Sequence, residues 1–308
     1  MSLGKRHPLA WQLRTRTLNL GVRTLVMAVV NITPDSFSDG GAFLSVNAAV
    51  ERGLQALEEG ADLLDLGAES TRPGSRAGGA VGTPQAPAVS ADQEQERLLP
   101  VVEGLLRAQP GTVLSVDTYK AATARTAIAA GAEIVNDVSG FAWDQQLAQV
   151  CAEYGAGVIL SHTRGTPEEW AAQPQLGADA LLADVHSGLQ ASLAAALVAG
   201  IPPAAIVLDP GYGFGKRFEE NFALLGRQTE LLDLDRPLLA GLSRKSFLGR
   251  ALAPLHGGTD APAQEREMAS LAALTASILH GASLVRVHAV RPAVEAAHIA
   301  DAILQAAE

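Results

Sequence analysis

Short runs of branched aliphatic residues alternate with longer Ala- and Leu-rich stretches along almost the whole chain. The runs Leu25–Val30, Asp62–Leu66, Thr112–Val116, Glu133–Val135, Gly157–Leu160, Ala205–Leu208, Leu238–Leu242 and Ser283–Val287 read as strands. They are nearly continuous in apolar residues, the pattern of parallel strands covered on both faces. Each is followed by helical spacing: Val46–Glu59, Ala91–Ala108, Lys120–Ala130, Asp144–Tyr154, Ala178–Ala199, Glu219–Leu232, Glu265–His280 and Pro292–Ala307. Glycines such as Gly60, Gly131, Gly155 and Gly281 stand just past several of these helices, where a left-handed closing residue is needed. Eight strand-then-helix units in about 280 residues predict an α/β protein of the (β/α)8 TIM-barrel class. An open doubly wound sheet is the structural alternative.

Residues 1–24 precede the repeat and are expected to cover the barrel bottom, leaving residues 25–308 as a single domain. Two stretches, Gly74–Ser90 and Gly249–Gln264, are rich in Gly, Pro and Ala and read as long loops of the kind that form lids.

Composition narrows the function classes. The 308 residues carry 23 basic and 33 acidic side chains, a net charge of −10, which argues against nucleic-acid and anionic-membrane partners. An apolar share of 48% with 18% charged residues excludes intrinsic disorder. The single cysteine, Cys151, can form neither an intrachain disulfide nor a cysteine-rich zinc site. Lys5 and Arg6 are not followed by the apolar core of a secretory signal, so a cytoplasmic protein is expected. The seven histidines show no H-E-x-x-H pattern.

Polar residues gather where the strands end. In chain order these are Asn31; Asp65 with Glu69, Thr71 and Arg72; Asp117; Asn136 and Asp137; His162; Asp209; Ser243, Arg244, Lys245 and Ser246; and Arg286 with His288. In a barrel these ends converge on the face that carries catalysis. Any one of them is as readily a cap or turn residue; the recurrence over eight strands is what points to a site. The loop from Asn31 to Gly41 is polar yet holds Phe37, as an active-site loop would, and its Asn and Asp oxygens suit a hard cation such as Mg²⁺. The string from Asp209 to Lys216 is not a P-loop, because Pro210 and Arg217 break that pattern. Its glycines instead suit close approach to a flat ligand, with Tyr212 or Phe214 as a wall. Asp209 can accept paired N–H bonds from an amidine-like edge. Arg72, Lys245, Arg286 and His288 are expected to make a locally positive mouth for an anionic substrate.

These strings, above all Asn31-Ile32-Thr33-Pro34-Asp35-Ser36-Phe37-Ser38-Asp39-Gly40-Gly41 and Leu208-Asp209-Pro210-Gly211-Tyr212-Gly213-Phe214-Gly215-Lys216, resemble the dihydropteroate synthases of the pterin-binding family. Glu69–Gly74, Ser115–Thr118, Asn136-Asp137, Ser243–Ser246 and Arg286–His288 add to the likeness in the same order. The resemblance implies condensation of 6-hydroxymethyl-7,8-dihydropterin pyrophosphate with p-aminobenzoate, giving 7,8-dihydropteroate and pyrophosphate in folate biosynthesis. It implies that Asp117, Asn136, Asp209, Lys245 and Arg286 hold the pterin, and that Asn31, Arg72, Arg286 and His288 meet the pyrophosphate. Thr71, Pro73, Phe214 and Ser246 would contact p-aminobenzoate; Arg286, Lys245, Asp117 and Arg72 would carry catalysis; Asn31 would ligate Mg²⁺. A homodimer with these small-molecule substrates as its ligands is implied as well. The chain departs from the family pattern at Ala289, where Asp is common, and at Ser161-His162-Thr163, where Met-His-Met is common. A pterin-domain methyltransferase and a pterin-binding paralogue with impaired catalysis are the alternatives.

Overall fold

A computed structural model describes Gly4 and residues 6–32, 41–71, 74–78 and 89–307, with side chains from residue 46 onward in the helix that begins at Gly41. The loop 33–40, most of the loop 74–90, and Arg72 and Pro73 lie outside the described residues. The chain opens with an antiparallel hairpin of β1 (Leu9–Gln12) and β2 (Thr17–Leu20). Then come β3 (Leu25–Asn31), β4 (Leu63–Gly67), β5 (Leu114–Asp117), β6 (Ile134–Asp137), β7 (Gly157–Ser161), β8 (Ile206–Asp209), β9 (Leu238–Ala240) and β10 (Ala282–Val287). These eight close into a parallel barrel, with β10 pairing β3 to complete the ring. The open-sheet alternative is thereby excluded.

Helices cover the barrel's outside: α1 (Gly41–Glu58), α2 (Ala91–Ala108), α3 (Ala121–Ala129), α4 (Leu147–Tyr154), α5 (Ala178–Val198), α6 (Phe218–Gly226), α7 (Ser246–Ala251), α8 (Glu267–Leu279) and α9 (Val290–Ala306). Local chemistry sets several of their ends. Ser90 and Gln93 form a reciprocal capping box at the start of α2, and Gly155 closes α4 in the left-handed conformation. One helix, α5, is long and apolar enough to cross a membrane by length and composition. It packs against β7, β8 and α6, with Leu181, Val185 and Leu189 buried.

Strand alternation divides the barrel residues into two sets. Leu64, Leu66, Leu114, Val116, Val135, Val158, Leu160 and Leu208 point outward into the helix-facing core. Met27, Leu63, Val113, Ile134, Ile159, Val207, Leu239 and Leu284 point inward and form an apolar floor. Trp11, Leu13 and Leu20 of the hairpin pack onto that floor from below. Trp11 Nε1 also donates to the Ala205 carbonyl at 3.0 Å. The hairpin is held further by Glu133, whose carboxylate accepts from the Thr15 amide and hydroxyl and from Arg16.

Beyond the N-terminal hairpin and shifts of a few residues at several helix ends, two segments differ from the sequence expectation. The helix expected over Glu219–Leu232 stops at Gly226, and a 3₁₀ turn over Gln228–Leu234 follows. Buried Gln228 explains the break, since its amide donates to the Ser277 and His280 carbonyls and accepts from the Tyr212 hydroxyl. The expected loop Gly249–Gln264 begins inside α7, contains a 3₁₀ turn over Ala253–Leu255 and runs into a second over Ala263–Glu265.

Candidate active site

Two residues beyond the apolar floor, the same strands turn polar. The next inward positions are Val29, Asp65, Ser115, Asn136, Ser161, Asp209, Gly241 and Arg286, one from each strand or its immediate continuation. Asp65 is the hub of this tier. Its Oδ2 accepts from Arg286 Nε at 2.6 Å and from Asn136 Nδ2 at 2.9 Å. Arg286 Nη2 also donates to Asp117 Oδ2 at 2.7 Å, so the guanidinium plane is fixed between two carboxylates. In the sequence Asp65 is only one more strand-end residue. The signal for its importance was a carboxylate inside the apolar run Leu63–Gly67, which burial obliges to be paired.

On the opposite side of the tier, Asp209 Oδ1 accepts from the Gly211 amide at 2.7 Å, and Ser161 Oγ lies 3.4 Å from Oδ2. Lys245 Nζ sits 3.8 Å from the centroid of the Phe214 ring, whose other neighbour is the stacked Trp170. The loop that brings Phe214 there needs its glycines. Gly211 has φ +68°, and a Cβ on it would lie 1.8 Å from the His162 carbonyl oxygen. Lys216 closes this loop by donating to the carbonyls of Gly211, His162 and Phe214, a role the sequence alone does not disclose.

Burial sets the protonation of these groups. It pushes Asp117 up to about 7, against the lowering effect of Arg286. Burial also raises Asp209, opposed by the Gly211 amide and by Lys245, Lys216 and Arg286. Lys245 is pulled down to about 8 by burial, with Asp209 working the other way. Burial would lower Arg286 too, but Asp65 and Asp117 outweigh it and the guanidinium stays charged. The tier is therefore not the simply positive mouth expected from sequence: the charge of Arg286 is already matched by Asp65 and Asp117.

The outer rim holds the remaining candidates. Asn31 is exposed at the end of β3, Thr71 is half-buried, and Ser246 is exposed as the first residue of α7. The His288 amide donates to Ser243 Oγ at 3.2 Å, and its Nδ1 is 3.0 Å from the same hydroxyl. The His288 carbonyl accepts from Arg52 at 2.8 Å. Asn31 and His288 share an open depression of about 610 Å³ with Arg52, Arg244 and Arg291.

Two of the strand-end residues turn away from the mouth. Asp137 faces outward and caps its own loop, accepting from the Ser139 amide and hydroxyl and the Phe141 amide. His162 packs under α5, where a Cβ on Gly188 would come within 2.3 Å of its ring. Each stands one residue after an inward-facing neighbour, Asn136 and Ser161, so the two-residue period of the strand points it outward.

Among the described residues no group of three metal-ligating His, Cys, Asp or Glu side chains exists. Asn31 offers a single neutral oxygen, a donor suited to Mg²⁺ that takes its other ligands from phosphates and water. The residues present thus fit a metal that comes with its substrate.

A closed barrel with an apolar floor, a paired polar tier and a basic rim at the C-terminal ends of its strands defines an enzyme of the TIM-barrel class. The chain belongs to the pterin-binding enzymes, whose family pattern matches residues 27–288. A dihydropteroate synthase of Mycobacterium leprae is 42% identical over 283 residues, covering 91% of this chain and 94% of that one. The structure of Xanthomonas albilineans dihydropteroate synthase with 4-aminobenzoic acid superposes with a TM-score of 0.83 at 39% identity, covering 97% of this chain and 99% of that one. The same enzyme in complex with 7,8-dihydropteroate gives a TM-score of 0.80 at 37% identity over 96% and 98% of the two chains.

Proposed function

We propose that the protein is a dihydropteroate synthase, joining a dihydropterin methylene to the amino group of p-aminobenzoate with release of pyrophosphate. The observation that carries this reading is the polar tier and its upper neighbour: Asn136 and Arg286 are joined through Asp65, Arg286 reaches up to Asp117, Asp209 stands on the same tier, and Lys245 lies over Phe214. Carboxylates at Asp117 and Asp209 suit the N–H-rich edge of a pterin, and Asn136 offers both a donor and an acceptor. Asn31, Arg72 and His288 would meet the pyrophosphate; Thr71, Pro73, Phe214 and Ser246 would line the p-aminobenzoate side.

The chemistry follows from charge. The bond between the pterin methylene and the pyrophosphate oxygen breaks with its electron pair leaving on pyrophosphate. The positive methylene is delocalised into the electron-rich ring, whose N–H groups the fixed carboxylates hold. The aryl amine then forms the new C–N bond, and its surplus proton passes to the departing pyrophosphate or to water. No side chain acts as a covalent nucleophile, so orientation and electrostatics carry the rate. Mg²⁺ at Asn31, bound with the pyrophosphate, would neutralise the leaving group.

The reading includes a homodimer, which the exposed Ile299 and Ile303 on α9 support, and a cytoplasmic location. A coupled assay of pyrophosphate release tests the whole. Release is expected only with both substrates present and should stop when Mg²⁺ is chelated. No release with both substrates at any Mg²⁺ level would overturn the reading.

A further inference from the structure

Lys216 has no part in the chemistry above, yet it is among the most constrained cations in the molecule. The residue is 6% exposed, and its ammonium donates to the carbonyls of Gly211 at 2.8 Å, His162 at 3.2 Å and Phe214 at 3.4 Å. Its hydrogen-bond partners are neutral carbonyls, and burial pulls it down to about 7; Asp209 and Asp184 favour its charge only through space, while Lys245 and Arg164 oppose it. Burying an ammonium without a carboxylate contact is expensive, so its retention calls for a compensating gain.

The three carbonyls show where that gain lies. His162 follows β7, whereas Gly211 and Phe214 belong to the loop after β8, so the ammonium ties two loops together. Gly211 is also the residue whose amide donates to Asp209 Oδ1. The positive charge acts on Asp209 directly as well, alongside Lys245 and Arg286. Ser161 is the remaining polar neighbour of that carboxylate.

We infer that Lys216 is a positioning residue that acts through Asp209: it fixes the Gly211 amide against the carboxylate and, when protonated, adds positive charge beside it. The inference rests on the reading of Asp209 as a pterin acceptor. It predicts that Lys216 matters to pterin binding only while Asp209 is a carboxylate.

A double-mutant cycle tests this. Affinity for 6-hydroxymethyl-7,8-dihydropterin is measured at neutral pH for the wild type, Lys216→Met, Lys216→Gln, Asp209→Asn and the two double variants, with melting temperatures for all. In the wild-type background Lys216→Met should weaken binding about tenfold or more, a loss typical of coupled neighbours. Lys216→Gln keeps amide donors for the carbonyls and should lose less. In the Asp209→Asn background either change should cost about twofold at most. A purely structural lysine would lower the melting temperature and weaken binding equally in both backgrounds, and that result would overturn the inference. So would wild-type affinity in both Lys216 variants. Should Lys216→Met fail to fold, the Lys216→Gln pair decides by the same criterion. Failure of the wild type itself to bind the dihydropterin would refute the assignment of Asp209, and this inference with it.

Discussion

The floor of the barrel and the tier above it are built by the same strands, two residues apart, and they are chemical opposites. Leu63, Ile134, Ile159, Val207 and Leu284 are fully buried and carry no polar side-chain atom. Asp65, Asn136, Ser161, Asp209 and Arg286 continue those strands upward and are held by hydrogen bonds and ion pairs. The hairpin adds Trp11, Leu13 and Leu20 to the floor and nothing to the tier. A strand of this barrel is thus divided along its length: its lower part stabilises, and its upper part holds charges that are costly to bury. The tier tolerates that cost because the floor and the helix-facing core supply the stability.

The most severe way to break the contrast is at Arg286. Replacing it by Ala leaves Asp65 and Asp117, on neighbouring strands, without their shared cation. Turnover should fall by about a thousandfold, the order expected when an oriented charge is lost from a closed site. Stability should fall as well, by about 3–5 kcal/mol, because a buried pair is broken from one side. The two losses can be separated. Combining Arg286→Met with Asp65→Asn removes the cation and the more deeply buried of its two carboxylates, and should restore part of the melting temperature while leaving turnover absent. Recovery of activity in that double variant would show that Arg286 serves the fold alone.

The converse change is made in the floor. Ile159→Ala removes a fully buried side chain one inward position below Ser161 and should cost about 2–5 kcal/mol. The melting temperature should drop by several degrees, while pterin affinity measured well below it stays within about twofold. A loss of affinity beyond tenfold would mean that floor and tier are one mechanical unit.

The same contrast explains what the sequence disclosed. Eight strand-helix repeats were plain because buried parallel strands leave unbroken apolar runs. Asp117, Asn136, Asp209 and Arg286 could be placed on one face because they stand where those runs end. Asp137 and His162 were placed there too, because a strand end seen in sequence does not tell which of two successive residues faces in; only the observed register does. Asp65 hid inside a run, and its partners are 71 and 221 residues away. The hairpin was not read as strands for a similar reason. Its turn at Arg14-Thr15 lacks the Asn-Gly signature, and its position is fixed by Glu133 and the Ala205 carbonyl, both remote in sequence. The break after Gly226 likewise depends on carbonyls of α8 and its C-terminal turn that accept from Gln228.

The gentlest test of the contrast is pH, since the floor has nothing to titrate and the tier has a great deal. Burial holds Asp117 up at about 7 and Lys245 down at about 8. A pterin that needs the carboxylate of Asp117 and the ammonium of Lys245 should bind best between those values. Affinity should fall about tenfold per pH unit beyond either limb. Stability of the ligand-free protein runs differently. The raised Asp117 contributes stability that is fully present below its unfolded value and lost as pH rises through about 7. The lowered Lys245 contributes stability present above its unfolded value and lost as pH falls through about 8. Both contributions are therefore small in the window where binding is strongest, so ligand binding is served at some expense to the empty fold. Asp117→Asn should erase the acid limb of binding while Ile159→Ala leaves the profile unmoved, as isothermal calorimetry across the range would show. Binding that stays flat over that range in the wild type would mean that neither group meets the ligand in the protonation state its surroundings impose.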